Sequence, residues 1–279
     1  MKELAPAEGL TKLHSYLHRW ALKADGLPFH THACWLQPVR YHGELAMLKI
    51  ATEDEERRGA FLMRWWDGVG AVRALAHEGD ALLLERASGD RSLIDMARTG
   101  QDDEASRIMC QVAASLHTPR TGAKPELIPL SRRFESLRQV AKTHAGVFEQ
   151  AAFIAEGLLA AQSEIVVLHG DIHHGNVLDA GARGWLAIDP KGLEGERAFD
   201  FANIFCNPDA SIATSPGRLA RQVAVIAEAG ELDPVRLVAW IASFAALSAA
   251  WHLEDGGKPD LALAVADIAI NELQHRARP

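Results

Sequence analysis

Between residues 164 and 190 the chain reads EIVVLHGDIHHGNVLDAGARGWLAIDP, and this stretch restricts the possible folds more than any other. A β-branched run feeds a polar loop. Two apolar runs, 177–178 and 185–188, then flank a glycine-containing turn at 180–184, the pattern of a β-hairpin. Folding that hairpin about Ala182 and Arg183 sets Val177 opposite Ile188 and Asn176 opposite Asp189. Asp171 sits in the loop that feeds the same open end, so three oxygen-bearing side chains are expected to gather there. Such a set suits a hard cation such as Mg2+, which completes its shell with water and phosphate oxygens. Asn176 and Asp189 are then its candidate ligands, and Asp171 is left to accept or orient the proton of an attacking hydroxyl. Histidine ligation fits less well. His169, His173 and His174 do not stand in the order of a zinc hydrolase, and no G-D-x-x-D or G-N-H-[DE] follows. They are expected to shape the loop by hydrogen bonding to backbone groups.

The periodicity of the rest divides the chain. Residues 10–24 read as an amphipathic helix, and two strands follow around a turn at His42-Gly43. Thr52 and Glu55 form a capping-box pattern ahead of a helix through ERRGAFLMRWW, which the glycines of DGVGAV stop. Strands are expected at 72–76 and 81–87. From Ser88 the spacing turns helical, with DDEASRIMCQVAASLHT, a connector PRTGAKPELIP, a helix-rich region over 130–162, and closing helices at 217–229, 234–253 and 259–276. A β-rich first third and a helical remainder predict an α+β chain of two lobes, 1–87 and 88–279.

Composition narrows the function classes. A chain of 279 residues, 48% of them hydrophobic, can bury two cores. A net charge of −8 advertises no basic face for nucleic acid; it suits a cationic small molecule as well as plain solubility. Cys34, Cys110 and Cys206 are widely spaced and form no C-x-x-C pair, which reads as reduced, mostly buried thiols. The first 26 residues carry acids and histidines where a secretory leader would be apolar, so a cytoplasmic location is expected. The apolar run LVAWIASFAALSAAWHL is slightly short for a membrane span and reads as a buried core helix, with no membrane partner.

With H-G-D-x-x-x-x-N ahead of a hairpin ending in I-D-P, the chain resembles the aminoglycoside phosphotransferases of the protein-kinase-like superfamily. LHGDIHHGNVL, GWLAIDPKGLEGE, Asn207-Pro208, GVGAVRALAHEGDALLLERASG and LSAAW narrow the resemblance to the aminoglycoside/hydroxyurea antibiotic resistance kinase family, from about residue 35 to residue 255. It implies a protein-kinase-like fold with a small β-rich N-terminal lobe and a larger helical C-terminal lobe, using ATP and Mg2+. Asp171 would be the catalytic base or the group aligning the acceptor hydroxyl, and Asn176 and Asp189 the magnesium ligands. Lys49 lies in the apolar strand LAMLKIA, where an ammonium either snorkels to a sheet edge or meets an anion; the resemblance implies nucleotide phosphates. Glu56 would pair with Lys49, although Glu53, Asp54 and Glu55 share the same helix turn, where the dipole favours carboxylates anyway. LLLERA resembles the interlobe hinge, with backbone from Glu85 to Ala87 meeting adenine whatever the side chains. Two features depart from the wider superfamily: no G-x-G-x-x-G covers the phosphates, GLPFHTH standing in that place, and the metal motif reads Asp-Pro-Lys. The implied acceptor is an aminoglycoside such as streptomycin at its 6-hydroxyl, giving antibiotic resistance. Glu194, Glu196, Asp200, Glu254 and Asp255 are candidates to face its cationic groups. Another hydroxylated metabolite, hydroxyurea, or nucleotide binding without turnover stand as alternatives; monomer and dimer are both open.

Overall fold

His42 and Gly43 both take left-handed backbone, with φ of 51° and 91°, and this two-residue turn pairs Tyr41 with Glu44 to close the first hairpin. In the computed structural model, which describes residues 6–276, the chain begins with α1 (Pro6–Arg19), β1 (Lys23–Ala24), β2 (Phe29–His30), β3 (Cys34–Tyr41) and β4 (Glu44–Ala51). It continues through α2 (Asp54–Trp66), β5 (Ala74–Glu78) and β6 (Ala81–Glu85), then α3 (Leu93–Arg98) and α4 (Asp102–His117). Next come β7 (Ile128–Pro129), α5 (Leu130–Arg133), α6 (Glu135–Ala141), α7 (Val147–Ala160) and β8 (Ile165–Leu168). The hairpin strands β9 (Val177–Asp179) and β10 (Trp185–Ala187) lead to β11 (Leu193–Glu196) and a 3₁₀ segment, Arg197–Cys206. α8 (Ala210–Ala213), α9 (Arg218–Ala229), α10 (Pro234–Glu254) and α11 (Asp260–Arg276) close the chain.

Two compact units result. The first runs through Arg91 and takes back two later segments, Arg120–Glu126 and Leu178–Gly192; the second holds the remainder. In the first, the strands pair in the order β1-β3-β4-β6-β5, with β2 also on β3. Alternation along β4 sorts its two faces. Ala46, Leu48 and Ile50 pack with Leu13 of α1, Val39 and Leu83 in one core. Lys49 points the other way, flanked by Leu36 on β3 and Leu82 on β6. The expected capping box is absent. Helix α2 starts one residue after Thr52 would allow, its N-cap is Glu53, and no side chain caps it. Thr52 is instead buried at the end of the sheet, its N–H donating to Ala33.

The second unit is built on α10. This helix has the length and composition of a membrane span, yet 72% of its apolar window is buried. Phe134, Phe199, Trp240 and Phe244 pack edge-on or tilted around it. The connector expected at 119–129 includes β7, which pairs in parallel with β11, while β8 pairs antiparallel with β11 and ends at Leu168. The loop that carries Asp171 therefore leaves a sheet strand held on one side by β11. Cys34, Cys110 and Cys206 form no disulfide; burial pushes the Cys110 and Cys206 thiols up to about 12.

Candidate active site

In the first unit four charged side chains alternate in a closed ring. Lys49 pairs with Oε2 of Glu56 and with Oδ1 of Asp189. Lys191 lies 3.1 Å from Oε1 of the same glutamate and 2.8 Å from Oδ2 of the same aspartate. Each carboxylate thus gives one oxygen to each lysine. Glu56 is only 3% exposed at its side chain, which explains its choice over Glu53, Asp54 and Glu55 in the same helix turn. It is the one whose side chain turns under the sheet. Burial alone would drive the Lys49 ammonium towards neutrality; Glu56 and Asp189 outweigh that and hold it protonated. Burial would likewise raise the Asp189 carboxyl, but Lys49 and Lys191 keep it far below the usual carboxylate range.

The backbone under the ring is tightly made. Asp189 takes a left-handed conformation, φ 62°, which costs a non-glycine residue about 1–3 kcal/mol and persists only where its surroundings enforce it. Gly59 of α2 supplies part of that enforcement, because a Cβ there would stand 2.3 Å from the carbonyl oxygen of Pro190. Gly59→Ala tests this directly. Alanine gains about 1 kcal/mol of helix propensity, whereas overpacking against fixed backbone costs about 1–3 kcal/mol. The net result expected is a lower melting temperature; a higher melting temperature would show that the 189–191 segment moves freely.

The hairpin register is one residue off that expected, and the expected pairing of Asn176 opposite Asp189 falls with it. The Ala180 N–H donates to the Gly184 carbonyl at 2.7 Å, so the fold is symmetric about Ala182 rather than about Ala182 and Arg183, and Asp179 falls opposite Trp185. A 3₁₀ turn at Gly181–Arg183 absorbs the odd residue. Asp179 also fastens the segment that follows β6: its carbonyl accepts from Gly89 and its carboxylate from Arg91. Glu85 and Ala87 stand at and beyond the end of β6, three residues and more past the partner of Lys49. The Glu85 side chain is not neutral to this arrangement, since it accepts from the Arg73 N–H and pairs with Arg183 of the hairpin turn.

In the second unit the loop after β8 is held from beneath. The carboxylate of Asp200, fully buried, accepts from the His169 N–H at 2.9 Å and the Gly170 N–H at 2.6 Å, with His117 Nε2 at 2.8 Å. Above this anchor Asp171 is 26% exposed. Its Oδ1 accepts from the Asn203 amide at 2.7 Å and its Oδ2 from the Asn176 amide at 3.1 Å. Asn207 in turn donates to Asn203. Two amide donors fix the carboxylate in place, with His173 Nε2 4.0 Å from Oδ2. The histidines shape the loop: His169 Nδ1 accepts from the Asp171 N–H and His173 Nδ1 from the Gly175 N–H. His174 is buried 3.7 Å from Asp102. Burial favours a neutral Asp102, but His174 and Arg218 beside it bring its carboxyl down to about 2.

The structure therefore brings Lys49, Glu56 and Asp189 together in one unit and Asp171 and Asn176 together in the other. Lys191, Asn203 and Asp200 are functional candidates that sequence reasoning missed or misassigned. Asp200 is no substrate ligand, because its side chain is fully buried and faces the loop backbone and His117. Glu196 is spent too, held by Arg236 and the Trp240 indole N–H. Each unit offers hard oxygens of the kind magnesium takes: Asp189 is held ionised between Lys49 and Lys191, and Asn176 spends its nitrogen on Asp171, leaving its amide oxygen as an acceptor with no hydrogen bond among the described residues.

A family profile described as aminoglycoside/hydroxyurea antibiotic resistance kinase matches residues 19–256. A streptomycin 3''-kinase of Klebsiella pneumoniae is 48% identical, covering 93% of this chain and 99% of its own. A streptomycin 6-kinase of Streptomyces griseus is 32% identical over 91% of this chain and 85% of its own. Among solved structures, a thermostable mutant of aminoglycoside phosphotransferase APH(4)-Ia in complex with ADP and hygromycin B superposes with a TM-score of 0.67 at 14% identity. It covers 96% of this chain and 99% of that one, and the likeness gives the fold: protein-kinase-like.

Proposed function

The chain belongs to the aminoglycoside/hydroxyurea antibiotic resistance kinase family, and from that premise we propose that it transfers the γ-phosphoryl group of ATP to a hydroxyl of streptomycin. The observation that carries this reading is Asp171: a partly exposed carboxylate, clamped by the amides of Asn176 and Asn203, in a loop whose backbone is tied to a buried aspartate. Asp171 aligns the acceptor hydroxyl and takes its proton as the oxygen attacks phosphorus. Lys49 turns its ammonium to the nucleotide phosphates while Glu56 keeps it oriented. Backbone groups of Glu85 and Ala87 meet the adenine. Asp189 and Asn176 each offer hard oxygens to magnesium. Magnesium, when bound, neutralises charge on the transferring phosphoryl group.

Two hydroxyls of streptomycin compete as the acceptor. Identity of 48% over nearly the full length of the 3''-kinase supports the 3''-hydroxyl. The 6-kinase likeness, at 32%, supports the 6-hydroxyl as the second reading. Phosphorus-coupled NMR of the purified product distinguishes them. Coupling at the 3''-carbon is the expected result, coupling at the 6-carbon favours the second reading, and phosphorylation only of other alcohols overturns streptomycin as the substrate.

A further inference from the structure

Lys191 belongs to the Asp-Pro-Lys motif, and the reaction as described gives it no task. Its side chain is 12% exposed, and its ammonium lies 2.8 Å from Oδ2 of Asp189 and 3.1 Å from Oε1 of Glu56. That geometry is not a chance of a flexible stem. Two residues on either side fix the backbone: Pro190 presses against Gly59, and Gly192, at φ 68°, leaves only 3.2 Å between a would-be Cβ and the Arg58 side chain. Lys191 is thus delivered to one oxygen of each carboxylate by a segment with little room to move.

The two lysines of the ring differ in what can release them. Lys49 sits in the middle of the sheet, and an arriving phosphate offers it an anion in exchange for Asp189 Oδ1, while its contact with Glu56 persists. Lys191 holds the other oxygen of each carboxylate from a segment packed against Gly59 and Arg58 of α2. A divalent ion on Oδ2, with metal–oxygen bonds of about 2 Å, would stand against that ammonium. Repulsion between a divalent ion and a fixed positive charge in a site this buried is severe. Oδ1 is therefore the oxygen that becomes available.

We propose that Lys191 is a built-in cation occupying one of the two cation positions at Asp189, so that the nucleotide complex of this chain holds a single divalent ion. Lys191 acts as a positioning residue: it keeps Asp189 turned and committed on one oxygen. The inference rests on the kinase reading above.

Manganese binding to the full chain, followed by electron paramagnetic resonance in the presence of saturating AMP-PNP, tests it without turnover. The unsubstituted protein is expected to hold one manganese ion per bound nucleotide, and Lys191→Arg the same. Lys191→Met, with its charge removed, is expected to gain a second, weaker ion. Two ions on the unsubstituted protein would overturn the proposal without recourse to any variant, and so would an unchanged count in folded Lys191→Met. If the folded, unsubstituted protein binds no AMP-PNP at all, the kinase reading itself fails; two ions with nucleotide bound would sink only the role given to Lys191.

Discussion

Asp171→Asn is expected to lower kcat by about 10²–10⁴-fold, the span that a general base contributes, while leaving the dissociation constant for AMP-PNP nearly unchanged. The reason lies in what surrounds the side chain. Its two oxygens face amide donors from Asn203 and Asn176. An asparagine keeps one acceptor oxygen but sets its own NH₂ against one of those donors, and it has no basicity with which to take a hydroxyl proton. Lys49, Glu56 and Asp189 belong to a different unit and keep their ring intact. Steady-state kinetics beside calorimetric nucleotide titration separates the two effects, because an interaction made only in the transition state moves kcat and not binding. A fall in kcat below about threefold would remove Asp171 from the chemistry.

The second large effect concerns stability. Asp200→Ala takes one carboxylate away from two buried backbone donors, His169 and Gly170, and from the His117 ring. A buried donor left unpaired costs about 1–3 kcal/mol, so the two amides alone lose about 2–6 kcal/mol. Against the total stability of a domain, about 5–15 kcal/mol, that is enough to lower the melting temperature sharply. The activity that survives should also fall, since Asp171 follows Gly170 directly. Circular dichroism melts of the variant check the first point. A melting temperature within a degree or two of the unsubstituted protein would mean that water replaces the carboxylate, and that the loop is not anchored there.

How much of this was legible in the sequence depends on the range of the interaction. The hairpin at His42-Gly43, the lysine strand and the closing helices follow from local pattern, because alternation and turn chemistry act over a few residues. Glu56 could be chosen among four neighbouring acids only by family likeness; the structure supplies the physical reason, which is burial. The same four acids hide the true helix start, since a favourable first turn for the dipole makes Thr52 look like a cap when it directly follows a strand. Asp200 was misread because an acid in FDFANIF looks like any other acid until the loop backbone 30 residues earlier is seen to need an acceptor. Lys191 was visible as a departure from the wider motif, but its partner Glu56 is 135 residues away. Asn203 had no signal beyond its spacing of four from Asn207. Long-range pairing of polar groups leaves no periodicity to read.

On the proposed function, the Asp171 loop serves phosphoryl transfer to an aminoglycoside hydroxyl. Mass spectrometry of streptomycin incubated with the protein and Mg-ATP tests it most directly. A single product heavier by one phosphoryl group is expected, formed by the unsubstituted protein and not by Asp171→Asn on the same time scale. Streptomycin recovered unchanged from folded, ATP-binding protein, or a product formed equally fast by Asp171→Asn, would contradict it.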